Sequence, residues 1–128
     1  MIKTTNIRAV KPGQYDIVWA IVRSMKSPSS FMQQVPALSP DWALFKTYRE
    51  LAASGRWNQK AFQEIYRPRF VAQIQADPTA QKLLDQLAEL DKAGVNIALV
   101  CFCQDKNLCH RSLIAEMLRH LGCDIICE

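Results

Sequence analysis

The sequence predicts an α/β domain with a small, mostly parallel sheet covered by helices. Three observations carry that prediction. The two strongest strand candidates, residues 15–22 and 97–103, are nearly continuous apolar runs, as strands are when a sheet is covered on both faces. Between them lie three segments of helical periodicity. The order strand, helix, helix, helix, strand, helix, strand is the alternation of a parallel α/β sheet. The chain of 128 residues suits a single domain, 1–128, and at 49% hydrophobic and 22% charged it can bury a core.

Each element has a local reason. Residues 1–13 are weakly patterned, and Ile2, Ile7 and Val10 suggest a short edge strand. Residues 15–22 are rich in β-branched and aromatic side chains and end at Arg23-Ser24. Residues 24–39, with Pro28, Pro36 and five serines, read as a long loop. Ser39-Pro40-Asp41 reads as a helix start, with Ser39 as N-cap and Pro40 in the first turn. Leu44, Tyr48, Leu51 and Ala52 then share a face, and Gly55 stops the helix.

Asn58 caps a second helical segment, in which Phe62, Tyr66, Phe70 and Ile74 recur every four residues. Pro68 lacks an N–H, so this segment is expected to kink or break near Arg67-Pro68. Asp77-Pro78 opens a third, with Leu83, Leu84, Leu87 and Leu90 as its stripe and Gly94 as its stop. After the strand 97–103 comes a polar turn, 104–108. A helix then opens at Cys109, burying Leu113, Ile114, Met117, Leu118 and Leu121 before Gly122. Trp42, Tyr48, Phe62 and Tyr66 fit core positions, whereas Trp57, beside Gly55-Arg56, suits a cleft wall.

Composition narrows the function classes. The net charge is +4 and no run of five or more Lys/Arg occurs, which suits an anionic ligand better than a nucleic-acid arm. Residues 1–10 do not read as a signal peptide, and no apolar run approaches the ~20 residues of a membrane span, so a cytoplasmic protein without a membrane partner is expected. Five cysteines, an odd number, point to free thiols rather than a disulfide framework.

The chemistry concentrates where 97–103 meets the last helix. The first N–H groups of a helix lack intrahelical partners and favour an anion or a thiolate. Cys109 at that position is expected to have a lowered pKa, with His110 and Arg111 adding positive charge. Arg111 suits bidentate binding of phosphate or carboxylate, and Ser112 adds a hydroxyl. Arg23 ends the earlier strand, so parallel pairing would bring it to the same sheet edge as Cys103. Blander readings stand beside these. Cys109 also suits a buried packing position, Arg23 an exposed strand end, and Cys101 and Cys103 the packed face of a strand. Cys101, Cys103, Cys109 and His110 offer four zinc-type ligands, but the spacing is not a paired-knuckle pattern, and neither metal nor cofactor is assigned. A phosphatase-type loop needs Arg six residues after Cys; that position holds Cys109 counting from Cys103 and Ala115 counting from Cys109.

Leu99-Val100-Cys101, the short loop, Cys109-His110-Arg111, Leu113-Ile114-Ala115 and Leu118 before Gly122 resemble the C-terminal signature of domain of unknown function family 488. Ile21-Val22-Arg23 resembles that family's strand ending in Asp-Val-Arg, and Phe62, Tyr66 and Phe70 its central segment. The resemblance runs from about Ile17 onward. It implies a three-layer Rossmann-like sandwich with a small mostly parallel sheet flanked by helices. It also implies a shared site of Arg23, Cys109, His110 and Arg111, but no established reaction. Ile21 stands where the family commonly has Asp, and Cys103 where it commonly has Glu.

The expected function is binding of a phosphorylated or otherwise anionic ligand, a nucleotide or nucleic-acid end, by Arg23, Cys103, Arg111 and Ser112. One alternative is an enzyme with Cys109 as nucleophile, His110 as its base and Arg111 beside them. Another is a non-catalytic interaction protein.

Overall fold

Every strand of the sheet runs parallel to its neighbours. The computed structural model describes residues 1–26, 29–103 and 105–128. Pro28, read as part of the long loop, and Gln104, read as part of the polar turn, lie outside the described residues. The strands are β1 (Ile2–Asn6), β2 (Ile17–Ala20), β3 (Gln33–Gln34), β4 (Ile97–Cys101) and β5 (Ile125–Cys127), in the order β3-β2-β4-β1-β5. The α-helices are α1 (Trp42–Ala53), α2 (Gln59–Ala61), α3 (Arg67–Ala76), α4 (Pro78–Lys92) and α5 (His110–His120). All five residues of β4 are buried, so both faces of the central strand are covered. The predicted layered α/β sandwich is therefore the architecture. Among the described residues, no helix is long and apolar enough to cross a membrane.

The ladder explains where the strands begin and end. Ile2 pairs with both Ile97 and Ile125, which makes β1 an interior strand rather than the expected edge strand. Ile7 and Val10 fall outside it. The chain turns at Ile7–Ala9 instead, where Asn6 caps a short 3-10 turn by accepting from the Arg8 N–H at 2.9 Å. β2 is shorter than the run 15–22, yet the Ile21 N–H still donates to Val100 O at 2.9 Å. The expected loop 24–39 contains β3 and a 3-10 turn at Pro36–Leu38. Two glutamines give no strand signal; pairing with Trp19 and Ala20 creates this strand.

Helix starts follow capping chemistry, with one shift. Asp41, not Ser39, caps α1, accepting from the Leu44 N–H at 2.8 Å. The Ser39 hydroxyl is occupied, donating to Pro36 O at 2.6 Å. Asn58 and Asp77 cap α2 and α4 as expected. The anticipated disruption at Pro68 is a π-helical turn, Phe62–Tyr66, which carries α2 into α3 without a break. There the Arg67 N–H bonds back five residues to Phe62 O, and the ladder widens just before the proline that cannot donate. At the C-terminus of α4, Gly94 adopts φ +83°, a conformation that favours glycine.

The core joins both elements of the pattern. Phe62, Phe70, Ile74, Leu84 and Leu87 from the helices meet Ile97, Leu99, Ile114 and Leu118. Phe70 is 0% exposed, stacked on Tyr66 and tilted against the His110 ring at 5.7 Å between centroids. Leu121, expected on the buried face of α5, lies past its end and is 40% exposed. Trp42, expected in the core, is also exposed. Trp57 is the reverse: it packs edge-on against Tyr48 at 4.8 Å and Tyr66 at 5.5 Å, half-buried against the core.

Candidate functional site

Parallel pairing of β2 with β4 sets Ala20 opposite Val100, so the segments leaving both strands emerge at one sheet edge. Ligands of open α/β sheets bind at this edge. Here Arg23 follows β2 and Cys103 follows β4. Cys101 is the last residue of β4, Cys103 lies two residues beyond it, and Cys109 returns beside them as the N-cap of α5. The three sulfurs lie within 4.8 Å of one another. Cys101 Sγ and Cys109 Sγ are 3.2 Å apart.

His110 is buried against this trio. Its Nε2 lies 2.6 Å from Ile21 O. A carbonyl accepts only, so Nε2 carries the proton and donates. Nδ1 is then the ring's lone-pair nitrogen, and it faces Cys109 Sγ at 3.6 Å. Burial lowers the imidazole pKa, against the opposing pull of the Cys101 sulfur. The backbone of Ile21 thus orients the ring.

Arg111 is 3% exposed. Nη1 donates to Cys103 O at 3.1 Å and to Cys101 Sγ at 3.4 Å, and Nη2 to Glu128 O at 3.2 Å. Its fork ties the loop after β4 to the segment after β5. Nε is buried without a partner among the described residues. Ser112 donates its hydroxyl to Cys109 O at 2.7 Å, inside the first turn of α5.

The three thiols shift one another's pKa in opposite directions. The neighbouring thiols of Cys103, first, and Cys109, next, favour the charged form of Cys101 and outweigh the cost of burial, lowering its pKa below the ordinary thiol range. Cys103 is pushed up to about 12, chiefly by its hydrogen bond to Cys101. Cys109, 1% exposed, is pushed up by burial first and by both neighbouring thiols next. This corrects the expectation of a lowered pKa at Cys109: the helix terminus is there, but the sulfur points into packed side chains rather than water.

A cleft opens over part of this cluster, with about 660 Å³ of space including its open mouth. Arg23, His110, Cys101 and Cys103 line it together with Trp42, Phe45 and Tyr48 of α1. Arg23 donates through Nε to Pro40 O at 3.1 Å and through Nη2 to Ser39 O at 3.3 Å. Cys109, Arg111 and Ser112 do not line the cleft; they stand behind its floor. The structure therefore divides the residues singled out in the sequence into a cleft set and a supporting set.

The aromatic wall was missed from sequence. Trp42 is 59% exposed and Phe102 53%, and both border the cleft. A signal existed in α1: Trp42 falls two residues before Leu44, about 200° around the helix from the buried stripe. Cys101, which the sequence offers both as a packing residue and as one of four zinc-type ligands, is a member of the thiol cluster. The spacing of Cys101, Cys103 and Cys109 is its sequence signal, while strand periodicity does not separate it from a packing residue.

Residues 3–122 match the family model described as "DUF488-N3a: Active DUF488-N3 subclade". No curated protein and no solved structure matches the chain.

Proposed function

We propose a function for this chain from one premise: it belongs to the DUF488 family. The cleft binds a small ligand with a flat apolar body and an anionic group, and a nucleotide is the class that combines the two. Arg23 takes the anionic group, while Trp42, Phe45 and Tyr48 take the flat body.

One observation carries this reading: Arg23 and three aromatic side chains line the same cleft above His110 and Cys103. A guanidinium has five N–H donors. The contacts to Ser39 O and Pro40 O engage two of them. Aromatic rings offer stacking faces that tolerate many bases. Arg111 does not share the task, because its donors are turned to Cys103 and Glu128 behind the floor.

The reading of Cys109 as a nucleophile with His110 as base has the 3.6 Å contact in its favour and the burial of its sulfur against it. The thiol that borders the cleft outside the strand is Cys103.

Thermal shift with mono- and dinucleotides tests the ligand class. A ligand at a hundred times its Kd stabilises by about 2.7 kcal/mol, a readable rise in Tm. That rise should disappear in Arg23→Ala and shrink in Trp42→Ala. If no phosphate-bearing ligand raises Tm, or if Arg23→Ala responds like wild type, the reading is wrong.

A further inference from the structure

We infer that Cys101, Cys103 and Cys109 form a three-thiolate site for a zinc ion at the floor of the cleft. The inference goes beyond the ligand reading and does not depend on it. The three sulfurs, from the end of one strand, the loop after it and the start of a helix, lie within 4.8 Å of one another. Zinc–thiolate bonds of about 2.3 Å at tetrahedral angles hold sulfurs roughly 3.8 Å apart. The Cys101–Cys109 pair is at 3.2 Å and all three sulfurs lie within 4.8 Å, so one ion enters by spreading that pair and adjusting the third sulfur. Cys103, not fully buried, lines the cleft and gives the ion an entry path.

Charge selects the ion. Arg111 is a buried cation whose Nη1 lies 3.4 Å from Cys101 Sγ, the side-chain partner able to become an anion. A buried cation needs such compensation. Three thiolates and Zn²⁺ carry a net charge of −1, which Arg111 offsets. With Cu⁺ the same trio would keep an uncompensated negative charge. Histidine geometry agrees. His110 donates Nε2–H to Ile21 O and presents the Nδ1 lone pair 3.6 Å from Cys109 Sγ. A ring N–H held by a main-chain carbonyl is how proteins orient metal-bound imidazoles. Binding exchanges S–H bonds for Zn–S bonds. The released protons pass to the buffer, and nothing is oxidised or reduced.

The test is a cobalt titration of the full chain, reduced and freed of metal with a chelator. Co²⁺ bound to thiolates absorbs strongly in the near ultraviolet by charge transfer. The expected band saturates at one equivalent and vanishes when Zn²⁺ is added. Cys101→Ser, Cys103→Ser and Cys109→Ser should each lose it, while Cys123→Ser keeps it. Cys101 and Cys109 are core residues, so Cys103→Ser decides, with circular dichroism confirming its fold. No charge-transfer band in wild type, or an undiminished band in folded Cys103→Ser, overturns the inference. Arg23→Ala should bind cobalt normally, which separates this outcome from a failure of the ligand reading.

Discussion

His110 donates Nε2–H to the main-chain oxygen of Ile21 at 2.6 Å, across 89 residues of sequence, with both groups buried. This bond fixes the imidazole tautomer and joins the segment after β2 to the start of α5. Replacing His110 with Ala leaves Ile21 O without a donor and removes a ring packed on Phe70. The expected cost is about 2–4 kcal/mol, from a buried orphan acceptor plus lost packing. Urea unfolding of the purified variant measures it. A midpoint equal to wild type would mean the bond is incidental.

Arg111 is a clamp by geometry, with Cys103 O on one side and Glu128 O on the other. Lysine keeps the charge but not the fork. Arg111→Lys should therefore cost about 2–3 kcal/mol, the scale of a charged hydrogen bond lost in a buried site. Chemical denaturation gives the number. Should the lysine variant prove as stable as wild type, charge alone would be sufficient and the fork irrelevant.

Phe70 is fully buried between Tyr66 and His110. Phe70→Ala should destabilise by about 3–5 kcal/mol, and Phe70→Leu by less, because leucine leaves a smaller void. The same unfolding assay ranks the pair. Equal losses would show that ring contacts, rather than volume, dominate at this position.

The Met1 amine lies 2.7 Å from Asp91 Oδ1, and the Asp124 N–H donates to Oδ2 at 3.1 Å. Burial raises the Asp91 pKa, but the amine and the N–H outweigh it, and the net shift is downward. A carboxyl with a lowered folded pKa contributes stability above its unfolded value, near 4, and loses it as pH falls toward the folded value. Asp91→Asn should thus be less stable than wild type at neutral pH, by about 1–2 kcal/mol. The gap should close below about pH 4. Melting curves across that range check the sign; a constant gap would rule out the titration.

Much of this protein is local and can be read from residue order. The apolar runs around Ile17–Ala20 and Ile97–Cys101 specify buried strands, because a sheet covered on both faces has no polar side to show. Asn58, Asp77 and Gly94 mark helix ends, because capping is chemistry within one turn. The β4–α5 junction was legible for the same reason, and so were Arg23, Cys103 and His110 as its neighbours.

What the sequence could not decide is long-range. The strand β3, two glutamines, exists only because β2 offers it a ladder. The interior place of β1 follows from Ile2 pairing with Ile97 and Ile125, partners 95 and 123 positions away by their numbers. The direction of each side chain at the junction was also set by the fold. Arg111 turned inward to bind main-chain oxygens, Cys109 went under packed side chains, and Trp42 stayed out at a cleft mouth. Neighbouring residues on a helix point about 100° apart, so Cys109, His110 and Arg111 are consecutive in the chain yet serve different surroundings. Sequence supplied the thiols, the imidazole and the cations. Tertiary packing chose which of them meet, because burial and the satisfaction of main-chain oxygens act between segments that residue order leaves far apart.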